Sequence, residues 1–185
     1  MATTGQILVN PETGNTFEFI ETAQDTNGAR VTIKTTIKSK GELVANHLHL
    51  LQDETFEVIS GRLTIIRNGQ LHTLEAGEKI TLPKNQPHNH YNQDDSPVTY
   101  IQTTTPALDF EHLIETLVGL ATDGKLKNGK AGLVQELVIL KYLDSKAYLS
   151  GIPLRVQDVL KNVVAPVGRA LGFRAVYKQY SGFEK

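Results

Sequence analysis

The 185-residue chain contains no cysteine. Disulfides, thiolate chemistry and iron–sulfur clusters are thereby excluded. The absence is compatible with a cytoplasmic location, which is the expected one. Neither sign of charge is in excess, with 19 Lys and Arg against 20 Asp and Glu. Such a balance offers no strong field to nucleic acid or to an anionic membrane. No apolar run approaches the length of a bilayer span. The first residues, MATTGQILVNPETG, lack the basic and apolar stretches of a signal peptide. Internal repeats and low-complexity tracts are also missing. At this length the chain can bury an ordinary core, as one domain or as one domain with an extension.

The sequence changes character near Pro106. Before it, short β-rich runs alternate with turn signals. RVTIKTTIK (30–38) alternates with period 2, which puts Val31, Ile33, Thr35 and Ile37 on one face. Further strands are predicted at 15–20, 43–50, 54–59, 62–67, 70–74, 78–82, 87–92 and 97–104. Asn68-Gly69 between two such runs is a hairpin signal. Many short antiparallel strands predict a mainly β barrel or sandwich over 1–106. After Pro106 the periodicity is helical, and 107–185 reads as a helical C-terminal extension. Helices are predicted at about 109–122 and about 131–149. A third segment aligns Val156, Val159, Leu160, Val163, Val164 and Val167 on one face. Pro166 should kink or split it. These helices are expected to cover a barrel flank or a dimer contact. No helix-turn-helix or basic recognition face is visible.

What the chain does have is histidine in a pattern. His47 and His49 are two apart, so in a strand they project together. Two imidazoles on one face are poor core filler, because each ring nitrogen needs a partner. They are good ligands for a borderline metal. Glu54 opens the next strand and shares a face with Phe56 and Val58. A carboxylate among apolar neighbours needs compensation, which a cation would supply. Gly61 allows a tight bend. Further on, Gly77, Pro83 and Asn85 lead to His88, the natural fourth ligand. His90 and Asn92 share its parity and are pocket candidates together with Phe56. His72 and His112 read as surface or packing residues.

These residues carry a resemblance. Gly41, His47, His49, Glu54 and Gly61 are spaced as in the first motif of the cupins. Gly77, Pro83, His88 and Asn92 are spaced as in the second, with Asn85 where glycine is usual. Asn is the next best residue for the positive φ of such a turn. The resemblance implies a double-stranded β-helix (jelly-roll) barrel over roughly 5–105. It also implies one divalent metal (Fe, Mn, Ni, Cu or Zn) on His47, His49, Glu54 and His88. NPETGNTFEFIETA and ALGFRAVYKQYSG are similar to a group of small bacterial cupins with a helical extension, often described as quercetinase-like. A homodimer is expected from the same resemblance.

The predicted inner faces are mainly apolar: Val31, Ile33, Ile37, Phe56, Val58, Ile65, Ile80 and Leu82. They suit a small apolar or aromatic ligand. The first expectation is a metal-dependent dioxygenase acting on an enol-type substrate, with Glu54 as the catalytic base. The alternatives are a non-catalytic small-ligand sensor and a metal-assisted isomerase or lyase.

Overall fold

The computed structural model describes residues 2–38, 40–42, 45–127, 130–182 and 185. The first two residues of the predicted 43–50 strand therefore lie outside the described residues. Two antiparallel sheets face each other. The first takes β1 (Ile7–Val9), β2 (Thr16–Glu21), β3 (Val31–Ile37), β11 (Val98–Thr105), β6 (Asp53–Ser60) and β9 (Lys79–Leu82), in that spatial order. The second takes β12 (Ala147–Leu149), β5 (His47–His49), β10 (His88–Asn92), β7 (Leu63–Arg67) and β8 (Gln70–Leu74), with β4 (Gly41–Glu42) beside β10. The helices are α1 (Phe110–Thr122), α2 (Leu133–Tyr142), α3 (Leu154–Ala170) and α4 (Lys178–Ser181).

Period-2 patterning decides which way each strand faces. Phe56, Val58, Leu63, Ile65, Leu82, Val98 and Tyr100 fill the barrel as one buried cluster. Val31 and Ile33 continue it towards Phe17, Phe19 and Phe110 of α1. The Asn68-Gly69 hairpin is present, with both residues at positive φ (50° and 78°) and Arg67 paired to Gln70. Two positive-φ residues in a two-residue loop match the right-handed twist of the flanking strands. Gly61 has a steric reason as well: an added Cβ would stand 2.6 Å from the carbonyl oxygen of Pro97.

The C-terminal region departs from the sequence expectation at its second helix. The predicted 131–149 helix ends at Tyr142, and Leu143 turns extended with ψ 153°. The Asp109 carboxylate then accepts the backbone N–H groups of Asp144, at 2.9 and 3.0 Å, and Ser145, at 2.7 Å. The chain goes on as β12, pairing with β5 along its whole length. The tail thus contributes a strand to the barrel. The helix α3 is not split at Pro166. Pro166 and Asn162, four residues before it, are both exposed, so the lost bond falls on the side facing solvent. Among the described residues, no helix is long and apolar enough to cross a membrane.

Candidate metal centre

His47 and His49 point into the barrel, while Leu48 between them packs outward near Leu137, Leu140 and Tyr148. His88 stands directly opposite His47 in the β5–β10 pairing. Glu54 enters from β6, in the facing sheet. The four ligand atoms all lie within 4.8 Å of one another, and all four residues are buried. The site therefore bridges the two sheets.

Each imidazole is fixed through Nδ1. His47 donates to the carbonyl of Ala45 at 2.8 Å, His49 to that of Lys146 at 3.0 Å, and His88 to that of Gln86 at 2.8 Å. A carbonyl oxygen only accepts, so the proton is assigned to Nδ1 and Nε2 is left for the interior. His88 Nε2 lies 2.9 Å from Glu54 Oε2, and His49 Nε2 lies 3.7 Å from Oε1. Gln102, from the neighbouring strand β11, donates its amide to Oε1 at 2.8 Å.

The electrostatics follow from burial against charge. Burial, then the neighbouring His49, lowers His47 to about 3, so it is neutral. Burial alone would raise Glu54. The surrounding imidazoles, His49 and His88 foremost, outweigh it and hold the carboxyl well below its usual range. Burial would likewise lower His88, but the hydrogen bond and charge of Glu54 reverse the sign and raise it. The close approach of His88 Nε2 to Glu54 Oε2 marks where a divalent cation would balance the carboxylate. Among the described residues, no Lys or Arg forms an ion pair with Glu54. Three Nε2 lone pairs and one carboxylate, with each Nδ1 tied to a carbonyl, form a donor set suited to a borderline divalent metal.

His90 follows His88 on the same face and is buried. Its ring lies 4.7 Å from Phe56 and 5.6 Å from Tyr100, centroid to centroid. Neither ring nitrogen has a hydrogen-bond partner among the described residues. Burial lowers its pKa to about 4, so it is neutral at physiological pH. Burial also pushes the Tyr100 phenol well above its ordinary range. Asn92 is not brought to the cluster in the same way. Its amide donates to the carbonyl of Ser96 at 2.9 Å and accepts from the N–H of Asp94 at 3.0 Å, holding the following turn. His72 lies on β8, and His112 meets Glu115 at 2.8 Å on α1. Two surface cavities, ≈ 390 and ≈ 300 Å³, are lined by none of the four cluster residues. The converging donor atoms, not these depressions, mark the chemistry.

Sequence reasoning missed two contributors. Gln102 carried a signal, since parity along 97–104 places it inward beside Tyr100 and Thr104. The Lys146 carbonyl carried none, because only the fold brings β12 next to His49.

A two-sheet barrel with three histidines and a glutamate converging inside it is the architecture of a cupin. Residues 35–104 match the model of the Cupin domain family, and this part of the chain is a cupin domain. Among curated proteins, no sequence matches the chain significantly. Similar solved structures include an RmlC-like cupin from Shewanella frigidimarina, 17% identical, with TM-score 0.49 over 60% of this chain and 92% of that one. KdgF from Halomonas sp. is 16% identical, with TM-score 0.47 over 58% of this chain and 99% of that one. A cupin-superfamily sugar phosphate isomerase from Silicibacter pomeroyi is 19% identical, with TM-score 0.44 over 50% of this chain. The match spans only 59% of that isomerase.

Proposed function

We propose that this chain is a metal-dependent dioxygenase of the quercetinase-like kind, acting on a small apolar or aromatic enol. The observation that carries the reading is the convergence of three imidazoles and one carboxylate inside a mainly apolar barrel. His47, His49, Glu54 and His88 would hold a divalent metal, which supplies Lewis acidity and, where redox-active, electrons for reaction with dioxygen. The chain's own residues do the rest. Phe56, Val58, Ile65 and Leu82 keep water out and favour an aromatic ring. Gln102 pins Glu54 Oε1 and His88 Nε2 lies against Oε2, so the carboxylate that would accept the enol proton is held at both oxygens. Neutral His90 offers a ring nitrogen to a polar substituent of the substrate. His47 keeps 8% exposure against 2% for the other three, so substrate approaches along its edge. The likeness of the flanking segments to small quercetinase-like cupins supports the same reading.

The test is elemental analysis of protein purified without an affinity metal, paired with oxygen uptake on flavonols and related enols. About one redox-active divalent ion per chain is expected, with oxygen consumed in step with substrate. Bound metal without oxygen uptake on any enol would count against the oxygenase and leave the metal site standing.

A further inference from the structure

The helix α3 is amphipathic in the wrong direction for a helix that only covers a barrel. Its buried residues are Gln157, Lys161, Ala165 and Gly168, which are polar or small. Gln157 bonds both the N–H and the C=O of Leu149, each at 3.0 Å. Lys161, 8% exposed, donates to the Tyr148 hydroxyl at 2.6 Å and pairs with Asp158. Gly168 lets α3 approach α2 closely, since a Cβ there would stand 2.8 Å from Val134. The opposite face is apolar and open, with Val159 at 63%, Val163 at 65% and Leu171, just past the helix end, at 72% exposure. Folding within one chain leaves this stripe uncovered.

The stripe has a pattern. Val156, Leu160, Val163, Val167 and Leu171 are spaced four, three, four and four residues apart, the seam a second helix fits. The 17-residue helix is about 25 Å long. Val156, Val159, Leu160, Val163, Val167 and Leu171, 41–72% exposed, present on the order of 600 Å² per copy, against the ~800 Å² a standard interface takes from each partner.

We propose that α3 is a self-association surface, packing antiparallel against α3 of a second copy of this chain about a two-fold axis between Leu160 and Val163. In that arrangement Val156 meets Val167 of the other copy. One patch serves both copies, as a two-fold contact requires. A membrane is the poorer occupant. The stripe carries Val and Leu but no aromatic anchor, and its flank lacks a basic belt. Lys161 is turned inward, and Arg169 lies over the Tyr142 ring at 4.7 Å.

The full chain should sediment at twice its 20.4 kDa mass at micromolar concentration. Val163→Glu should weaken self-association by about 100-fold or more, the loss expected of a central apolar contact, with an unchanged circular dichroism spectrum. Since the chain has no cysteine, Val163→Cys gives an independent arm that leaves the seam apolar. A short bismaleimide, which spans the offset between the two substituted positions across the axis, should link it into a dimer, while Leu71→Cys, exposed on β8, should stay unlinked. A wild type monomeric throughout, a dimer indifferent to Val163→Glu, or Val163→Cys linking no better than Leu71→Cys would each overturn the proposal. So would a monomer that co-sediments with phosphatidylcholine–phosphatidylserine vesicles and loses that binding in Val163→Glu.

Discussion

His49 is held at both ends. Its ring donates to the carbonyl of Lys146, and its own carbonyl accepts the N–H of Asn85 at 2.7 Å. A ligand so restrained enters the metal site without losing much rotamer freedom. His49→Ala should remove bound metal, measured by elemental analysis, with the secondary structure intact. Asn85 itself sits at φ 66°, so glycine should be tolerated there. A β-branched residue should cost about 1–2 kcal/mol, the penalty of the left-handed region. Urea unfolding of Asn85→Gly and Asn85→Val compares the two. Equal midpoints would mean that the turn does not require its backbone conformation.

At the scale of elements, the tail and the barrel are joined through β12. Gln157 on α3 holds Leu149, β12 holds β5, and the Lys146 carbonyl holds His49. Gln157→Ala should therefore weaken metal affinity by about tenfold, the scale of removing a supporting contact behind a ligand, although it touches no ligand. A metal titration showing the wild-type affinity would limit Gln157 to a packing role. The start of β12 depends on Asp109. Burial would raise its pKa, but the N–H groups of Asp144 and Ser145 and the ammonium of Lys185 hold it below the usual range. The group binds its proton more weakly folded than unfolded, so its stabilisation is full above the unfolded pKa and lost as pH falls through the folded one. Asp109→Asn should cost about 1–3 kcal/mol at neutral pH, as for hydrogen bonds to a charged group. The difference should vanish in strong acid, read by chemical denaturation across pH.

For the whole molecule, the candidate metal centre ties one sheet to the other, because its histidines and its glutamate come from facing sheets. Binding there stabilises the folded state by mass action, about 2.7 kcal/mol at a hundredfold excess over Kd. Chelation should lower the thermal midpoint of the protein as purified, and added metal should restore it. His49→Ala should show neither response. A wild-type midpoint indifferent to both treatments would mean that no metal binds the folded state.

Much of the barrel and its site was readable in advance because strand parity is local. His47 with His49, Glu54 with Phe56, and His88 with His90 each share a face whatever the rest of the chain does. The hairpin at Asn68-Gly69 was equally local. Alternation along 97–104 also put Gln102 inward, though nothing in the sequence tied it to Glu54. Ala147–Leu149 was misread as helix because three residues carry too little periodicity, and their strand partner lies almost a hundred residues away.

The amino-acid order alone determined that the chain is mainly β up to Pro106 and helical afterwards, and that three imidazoles and a carboxylate are available on inward faces. Both follow from side-chain direction along an extended or helical backbone. Only the tertiary structure decided that those four groups meet, that Gln102 and the Lys146 carbonyl hold them, and that α3 turns its polar side inward. Those outcomes rest on pairings between distant segments. Period 3.6 can align Val156, Val159, Leu160, Val163 and Val167 on one face, but what that face meets depends on where the rest of the chain has packed.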